Sequence, residues 1–397
     1  MSLTAAEAGA QANVGSGPLT GTLAETEPTA GVLSLGPVKL APGLTIREIG
    51  WDSNVFNEPE SPKEDYLIAM QPDLSVFSRL RFVKASAYAG AELSYFQTYT
   101  SEDSVGHQLR GRVDLLLGRL RPFVAGGETK TRERANAEID VRANRVSDEL
   151  SGGIAFELSA HSLVYAATAR TSNAFEDAFE DGVNVAETMT RDGYDYSAGL
   201  RTDITPLLSL TVFGGYHEDR FTSVPERNSE SYYTTAQLGF SPDGVINGSA
   251  SLTYRAMTPV DPAVRAYKGI LGTAALGYSF LEVGRFALGL SRNLEYSFDT
   301  AEAYFIENSV SLAYTHRIVG MVDVQARAAR SLFNYDASET VPPHEDTVDT
   351  VSGGLGYNLR NRTRVALNYE YSRRRSPVSA DRNYERRRVY LSWLVAF

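Results

Sequence analysis

From Leu44 to Phe397 the chain repeats one pattern, in which apolar residues recur at every second position in runs as short as single strands. Leu150, Gly152, Ile154, Phe156 and Leu158 alternate with Ser151, Gly153, Ala155 and Glu157. Val351, Gly353, Leu355, Tyr357 and Leu359 oppose Ser352, Gly354, Gly356, Asn358 and Arg360 in the same way. A period of two puts alternate side chains on opposite faces of a strand, so each run has one greasy side and one polar side. About 18 such runs can be counted, with about 16 as the alternative, at the strand-plus-turn spacing of a membrane barrel. No stretch approaches the roughly 20 consecutive apolar residues that a membrane helix requires.

The connections carry a second rhythm. Short turns near Arg79–Arg81, Arg119–Pro122, Ser159–His161, Asp203–Pro206, Pro242–Gly244, Leu281–Gly284, Arg317–Gly320 and Arg360–Arg362 alternate with longer, more polar loops. Examples of the loops are Asn57–Asp65, Arg132–Arg145, Asn173–Thr190 and Arg373–Arg386. Up-and-down barrels show this alternation when turns face the periplasm and loops face outside. The expected fold is therefore all-β, a transmembrane antiparallel barrel over residues 44–397 with both termini on the periplasmic side. Residues 1–43 lack a basic start and a 7–15-residue apolar core, so they read as a disordered periplasmic leader rather than a signal peptide. Two residues break the pattern. Arg292 falls on the apolar parity of Leu288 and Leu290, which calls for a bulge or a headgroup position, and Pro72 must sit where no ladder donor is needed.

Composition narrows the class. There are no cysteines, so disulfides and thiolate metal sites are excluded, and a net charge of −11 argues against nucleic-acid binding. The 22 tyrosines and 17 phenylalanines suit interfacial girdles. A soluble β-rich carbohydrate-binding or structural protein would also alternate. Its outer face would carry a Lys/Glu mixture, whereas the polar faces here are rich in Gly, Ser, Thr and Arg. The last strand closes with Leu391, Trp393, Val395 and Phe397 on one face. It resembles the C-terminal strand of bacterial outer-membrane barrels, which implies that it is the insertion signal read by the barrel-assembly machinery.

The stretch Trp51-Asp52-Ser53-Asn54-Val55-Phe56, followed by the acidic loop Glu58–Asp65, resembles the opening strand of a family of bacterial outer-membrane barrels often called beta-barrel porin 2. Trp51, Asp52, Ser53, Asn54 and Phe56 carry the likeness. The resemblance implies an outer-membrane conduit for a secreted polysaccharide, working with a periplasmic export protein. A general diffusion porin for small solutes is the alternative.

Parity predicts the lumen. Arg110, Arg112, Arg170, Arg255, Arg327, Arg364 and Arg388 are expected inside, where guanidinium groups would guide anionic or hydroxyl-rich cargo. The acids Glu92, Asp114, Glu128, Glu157, Asp323 and Glu370 are expected beside them, either as partners or as part of the path. Tyr88, Phe96, Phe213 and Tyr390 are candidate sugar-stacking aromatics. Arg373, Arg375 and Arg387 are expected outside, against lipopolysaccharide phosphates. The acidic loop Phe175–Gly182 lacks the spacing of a calcium loop, and a solvated or pore-constricting role suits it better. Five scattered histidines include no HExxH pair, and GxSxG and Walker motifs are absent, so neither catalysis nor a cofactor or metal is expected.

Overall fold

The computed structural model describes residues 33–134, 138–180, 182–281, 283–299, 302–335, 342–359, 363–378 and 380–396. Eighteen long antiparallel strands form one closed barrel wall. They are β1 (Val38–Asp52), β2 (Asp65–Arg79), β3 (Val83–Phe96), β4 (Ser104–Leu115), β5 (Leu120–Arg134) and β6 (Arg142–Ser159). There follow β7 (Ser162–Phe175), β8 (Arg191–Thr205), β9 (Leu208–Phe221), β10 (Ser229–Phe240), β11 (Ile246–Pro259) and β12 (Tyr267–Phe280). The ring is completed by β13 (Gly284–Tyr296), β14 (Tyr304–Val319), β15 (Val322–Tyr335), β16 (His344–Asn358), β17 (Arg364–Arg375) and β18 (Tyr384–Ala396). One short helix, α1 (Val185–Met189), stands in the loop between β7 and β8. The expected short-long rhythm of connections is present throughout. β1 begins at Val38, ahead of the boundary expected at Leu44.

Each strand pairs with its neighbour in sequence, and β1 pairs with β18 from Gly43↔Ala396 to Asp52↔Arg388. Closure leaves no edge strand, the condition for crossing a bilayer without an open row of backbone groups. The large apolar residues Leu252, Leu312, Leu355, Leu367 and Trp393 lie exposed on the outer face. Thr211, Thr235 and Thr253 are buried on the inner one. Tyr278, Phe280, Phe286 and Tyr314 stack as an aromatic patch near the turn end, and Tyr196, Tyr216 and Tyr232 form another nearer the loops. These are the positions where amphipathic rings meet headgroups.

The stretch singled out at Trp51–Phe56 proves to be the clasp of the seam. Asp52 is fully buried and accepts Arg386 Nε at 2.9 and 3.0 Å, tying the end of β1 to the start of β18. Ser53 receives the Arg387 backbone N–H at 2.8 Å. Asn54 donates to the carbonyls of Glu58 and Glu385 at 2.8 and 3.1 Å, so one amide holds the first loop against the last strand. Phe56 packs edge-on against Tyr99.

Two irregularities explain the weak alternation of the first strands. The register of β1 slips between Ile46 and Glu48, a bulge that lets Arg47 and Glu48 both reach inward contacts. The β2–β3 ladder skips from Met70↔Leu93 to Asp73↔Gly90, and Pro72 occupies that gap, where it withholds no donor.

Candidate functional site

Inward-facing side chains follow from the register. Arg110, Arg112, Arg255, Arg327, Arg364, Arg388, Glu92, Asp114, Glu157, Asp323 and Glu370 all stand on the inner parity. Most of these arginines are engaged with acids. Arg112 gives Asp114 three bonds of 2.6–3.0 Å and lies 4.1 Å over the Phe123 ring. Arg364 forks onto Asp323 at 2.7 and 3.1 Å. Arg388 bridges Glu370 and Glu48, each at 3.1 Å. Arg255 donates to Ser231 at 3.0 Å and stands 3.7 Å from Asp219. Arg121 pairs with Glu157, and Arg47 with Glu92. Such bidentate pairs stiffen a wet wall. Arg110 and Arg327 have no ion pair among the described residues. The Arg47 and Glu92 side chains remain 39% and 34% exposed, so this part of the inner face is accessible to solvent.

Two predicted lumen residues lie on the other face. Arg170 sits opposite Tyr194 on the outward parity of Val164 and Ala166, pairs with Asp192 at 3.2 Å and lies over the Tyr194 ring. Glu128 shares the outward parity of Val124 and bonds His107 at 2.6 Å. Both faces of β7 are built of small residues, and Leu163 and Tyr165 on the inner face mimic a lipid side, so alternation alone inverted the strand. The predicted lumen aromatics divide. Tyr88 accepts a hydrogen bond from Gln71 in the channel, and Tyr390 lies under Arg388. Phe96 and Phe213 are packed away, Phe96 beneath Val55 and Leu67, and Phe213 between Tyr165 and Tyr233. Arg373, Arg375 and Arg387 face outward as expected, with Arg373 3.7 Å from Glu385. Leu391 and Trp393 are exposed on the outer face and Val395 shares their parity, while Phe397 lies outside the described residues.

Loops interlock at the outer mouth. Residues 138–141, between β5 and β6, reach across the lumen. The Glu138 carboxylate accepts the Ser297 hydroxyl at 2.8 Å and the Phe298 backbone N–H at 3.1 Å. Asp140 accepts Asn57 Nδ2 at 2.8 Å. Ile139, Val185, Met189 and Phe298 form a dry cluster in which no member is more than 1% exposed. Burial raises the Glu138 and Asp140 carboxyls above their usual range. Two arginines lock this lattice. Arg227 donates to the carbonyls of Thr188 at 2.9 Å, Ala303 at 3.1 Å and Ser297, joining α1 to the β13–β14 hairpin. Burial brings its guanidinium down to about 10. Arg374, 1% exposed, binds Asp346 at 2.9 Å, approaches Asp140 at 3.8 Å and reaches the Glu138 carbonyl.

The β13–β14 hairpin itself leaves the wall. Its ladder with β12 stops at Gly272↔Arg292. Beyond that point Leu294, Tyr296, Tyr304 and Ile306 pack behind Phe221, Met257 and Leu271, inside the barrel. The parting would orphan the Ile270 carbonyl, and Arg292 fills the vacancy with an Nε bond of 3.0 Å, its Nη1 donating to Asn308. This accounts for a charge on apolar parity. The loop residues were not found by strand parity, although Ile139, Val185 and Met189 were visible as apolar residues in loops expected to be polar. The acidic loop at Phe175 joins this lattice through Asp177, which accepts from Asn184, the N-cap of α1. No metal-binding group of acids and histidines occurs among the described residues.

A profile of the family described as "Putative beta-barrel porin 2" matches residues 33–397. The fold is similar to Pseudomonas aeruginosa OccK2 (OpdF), at 14% identity and a TM-score of 0.52, covering 90% of this chain and 98% of that one. OccK2 in complex with glucuronate aligns at 13% identity and a TM-score of 0.51, with the same coverage. Acinetobacter baumannii OccAB3 aligns at 10% identity and a TM-score of 0.50, covering 90% and 99%. No curated protein matches the chain in sequence.

Proposed function

The chain belongs to the beta-barrel porin 2 family and sits in the bacterial outer membrane, and on that footing we propose that it is a passive diffusion channel for small hydrophilic solutes. One observation carries the reading: a hydrated, charge-lined lumen lies beneath a mouth narrowed by interlocked loops. Small solutes need only side-chain and loop displacements of a few ångströms at such a mouth. A polymer would require the whole lattice around Ile139 and Phe298 to leave, so the polysaccharide-export reading, with its periplasmic partner, draws support from family resemblance alone. The chain's fold and family are those of channels rather than enzymes. In planar bilayers the purified protein should give discrete openings smaller than those of a variant with residues 135–141 replaced by a short Gly/Ser linker. Silence from both proteins would reject the channel; openings that appear only in the shortened variant would favour a gated export conduit.

A further inference from the structure

Outward positions along each strand climb from the bilayer interior toward the loops, and the first charge met on the way marks where the apolar band ends. On β15 that charge is Arg330, after Ala328; on β16 it is Asp349, after Val351. On β17 it is Arg373, after Tyr371, and on β18 it is Arg387, after Val389. Lys268 and Arg292 hold the same place on β12 and β13. From β5 to β10 the first outward charges are instead Glu128, Asp148, Arg170, Asp192, Glu218 and Glu230. One arc of the belt is therefore mostly cationic and another mostly anionic, with β16 and β7 half the ring apart. Two basic runs supply the β17–β18 part, Arg373-Arg374-Arg375 and Arg386-Arg387-Arg388. Alternation splits them: Arg374, Arg386 and Arg388 turn inward onto Asp346, Asp52 and Glu370, while Arg373, Arg375 and Arg387 turn out.

We infer that the outer face of β15 to β18 is a binding site for the phosphate groups of an outer-leaflet lipid. The acids within it act as struts. Asp349 is directly opposite Arg373 and accepts Arg330 Nε at 2.6 Å, which leaves the Nη groups of Arg330 for an incoming anion. Arg373 stands 3.7 Å from Glu385, and its side chain remains 40% exposed. Arg375, directly opposite Thr347, and Arg387, directly opposite Tyr371, are exposed and make no ion pair among the described residues. Glu345 adds an acid only further out, two residues beyond Thr347. Arg330, Arg373, Arg375 and Arg387 thus outnumber Asp349 and Glu385 at this level. Below them the outward residues are Tyr371 and Tyr369, then Leu355, Leu367 and Leu391, so the guanidinium groups stand at headgroup depth. Guanidinium matches phosphate with paired N–H donors and keeps its charge, and the anionic arc would repel the same headgroup. The lipid is therefore seated on one side of the barrel.

Lipid binding can be read without reference to what passes through the lumen. The purified barrel in dodecyl maltoside is titrated with bisphosphorylated lipid A and followed by native mass spectrometry. EDTA is present throughout, so that no divalent ion bridges the lipid to the anionic arc. A saturable complex is expected. Arg373→Gln, Arg375→Gln and Arg387→Gln together should weaken it about a hundredfold, from about fivefold for each basic residue at a charged lipid surface. Arg170→Gln with Arg220→Gln, on the anionic arc, should leave it unchanged. Lipid A stripped of both phosphates should bind the wild-type protein as weakly as the bisphosphorylated lipid binds the triple variant. The three arginines project outward from the wall, and a heat-modifiable gel band reports folding of the variant. Arg387→Gln alone removes a side chain with no ion pair among the described residues and should still weaken binding about fivefold. Equal binding with and without the phosphates, or by wild type and variants, would overturn the site. Displacement of the lipid by inorganic phosphate at equal concentration would overturn it too, by assigning the arginines to a dissolved anion.

Discussion

Replacing Arg374 by methionine tests the loop lattice most directly. The substitution keeps most of the apolar stem of the side chain and removes the guanidinium charge from a site where Arg374 is 1% exposed and Asp346 fully buried, 2.9 Å apart. Breaking such a pair from one side strands the other charge, which costs about 3–5 kcal/mol. The two residues stand on the neighbouring wall strands β16 and β17, with Glu138 and Asp140 of the loop against Arg374, so lifting that loop would hydrate the stranded carboxylate and the cost falls on the closed arrangement. At about 1.4 kcal/mol per factor of ten, transient opening of the mouth should become between about a hundred- and a few-thousandfold more frequent. In single-channel records this would appear as added open-channel noise and a higher mean conductance, with the barrel still heat-modifiable. Arg374→Met combined with Asp346→Asn removes both charges and should restore most of the quiet closed behaviour, giving a coupling energy by the double-mutant cycle. Dwell times and conductance unchanged in the single variant would refute the idea that Arg374 holds the loop over the mouth.

Other outcomes follow from the same geometry. Burial raises Glu138 and Asp140, so the native loops hold protons more tightly than the unlatched loops do; closure should strengthen as pH falls from neutrality toward the usual glutamate value of 4.5. Conductance should accordingly decrease on acidification, and Glu138→Gln should flatten that dependence in a pH series of bilayer recordings. Arg170→Glu should leave ion selectivity unchanged, because Arg170 faces outward beside Asp192; a shifted reversal potential would restore it to the lumen. Gly50→Ala should loosen the seam, since a methyl group there would lie 2.2 Å from the Val389 carbonyl. Overpacking of this kind costs about 1–3 kcal/mol and should lower the temperature at which the folded gel band is lost.

The wall was legible in the sequence because lipid and water impose opposite demands on alternate residues, and those demands recur along every strand. Strand count, turn rhythm and the outward faces of Arg373, Arg375 and Arg387 all followed from that. Legibility failed where the demands weaken. Arg170 and Glu128 lie toward the loop ends of their strands, where charge is tolerated on the outside, and an inner cluster of Phe123, Tyr165, Phe213 and Tyr233 looks greasy without touching lipid. The bulge at Arg47 is a single inserted residue that no alternation rule places. The mouth was the least visible part, because its contacts join loops far apart in the chain, such as Glu138 with Ser297 and Asp140 with Asn57. Arg292 was read correctly as an anomaly, but its cause, a hairpin that leaves the wall, is a property of three strands together.

That departing hairpin divides the molecule's labour. Lipid constrains the eighteen strands, while the aperture is set by a handful of side chains on segments that never meet an acyl chain. Descendants of such a protein can therefore change clientele by exchanging residues around Ile139 and Phe298 while the bilayer-facing shell is inherited intact.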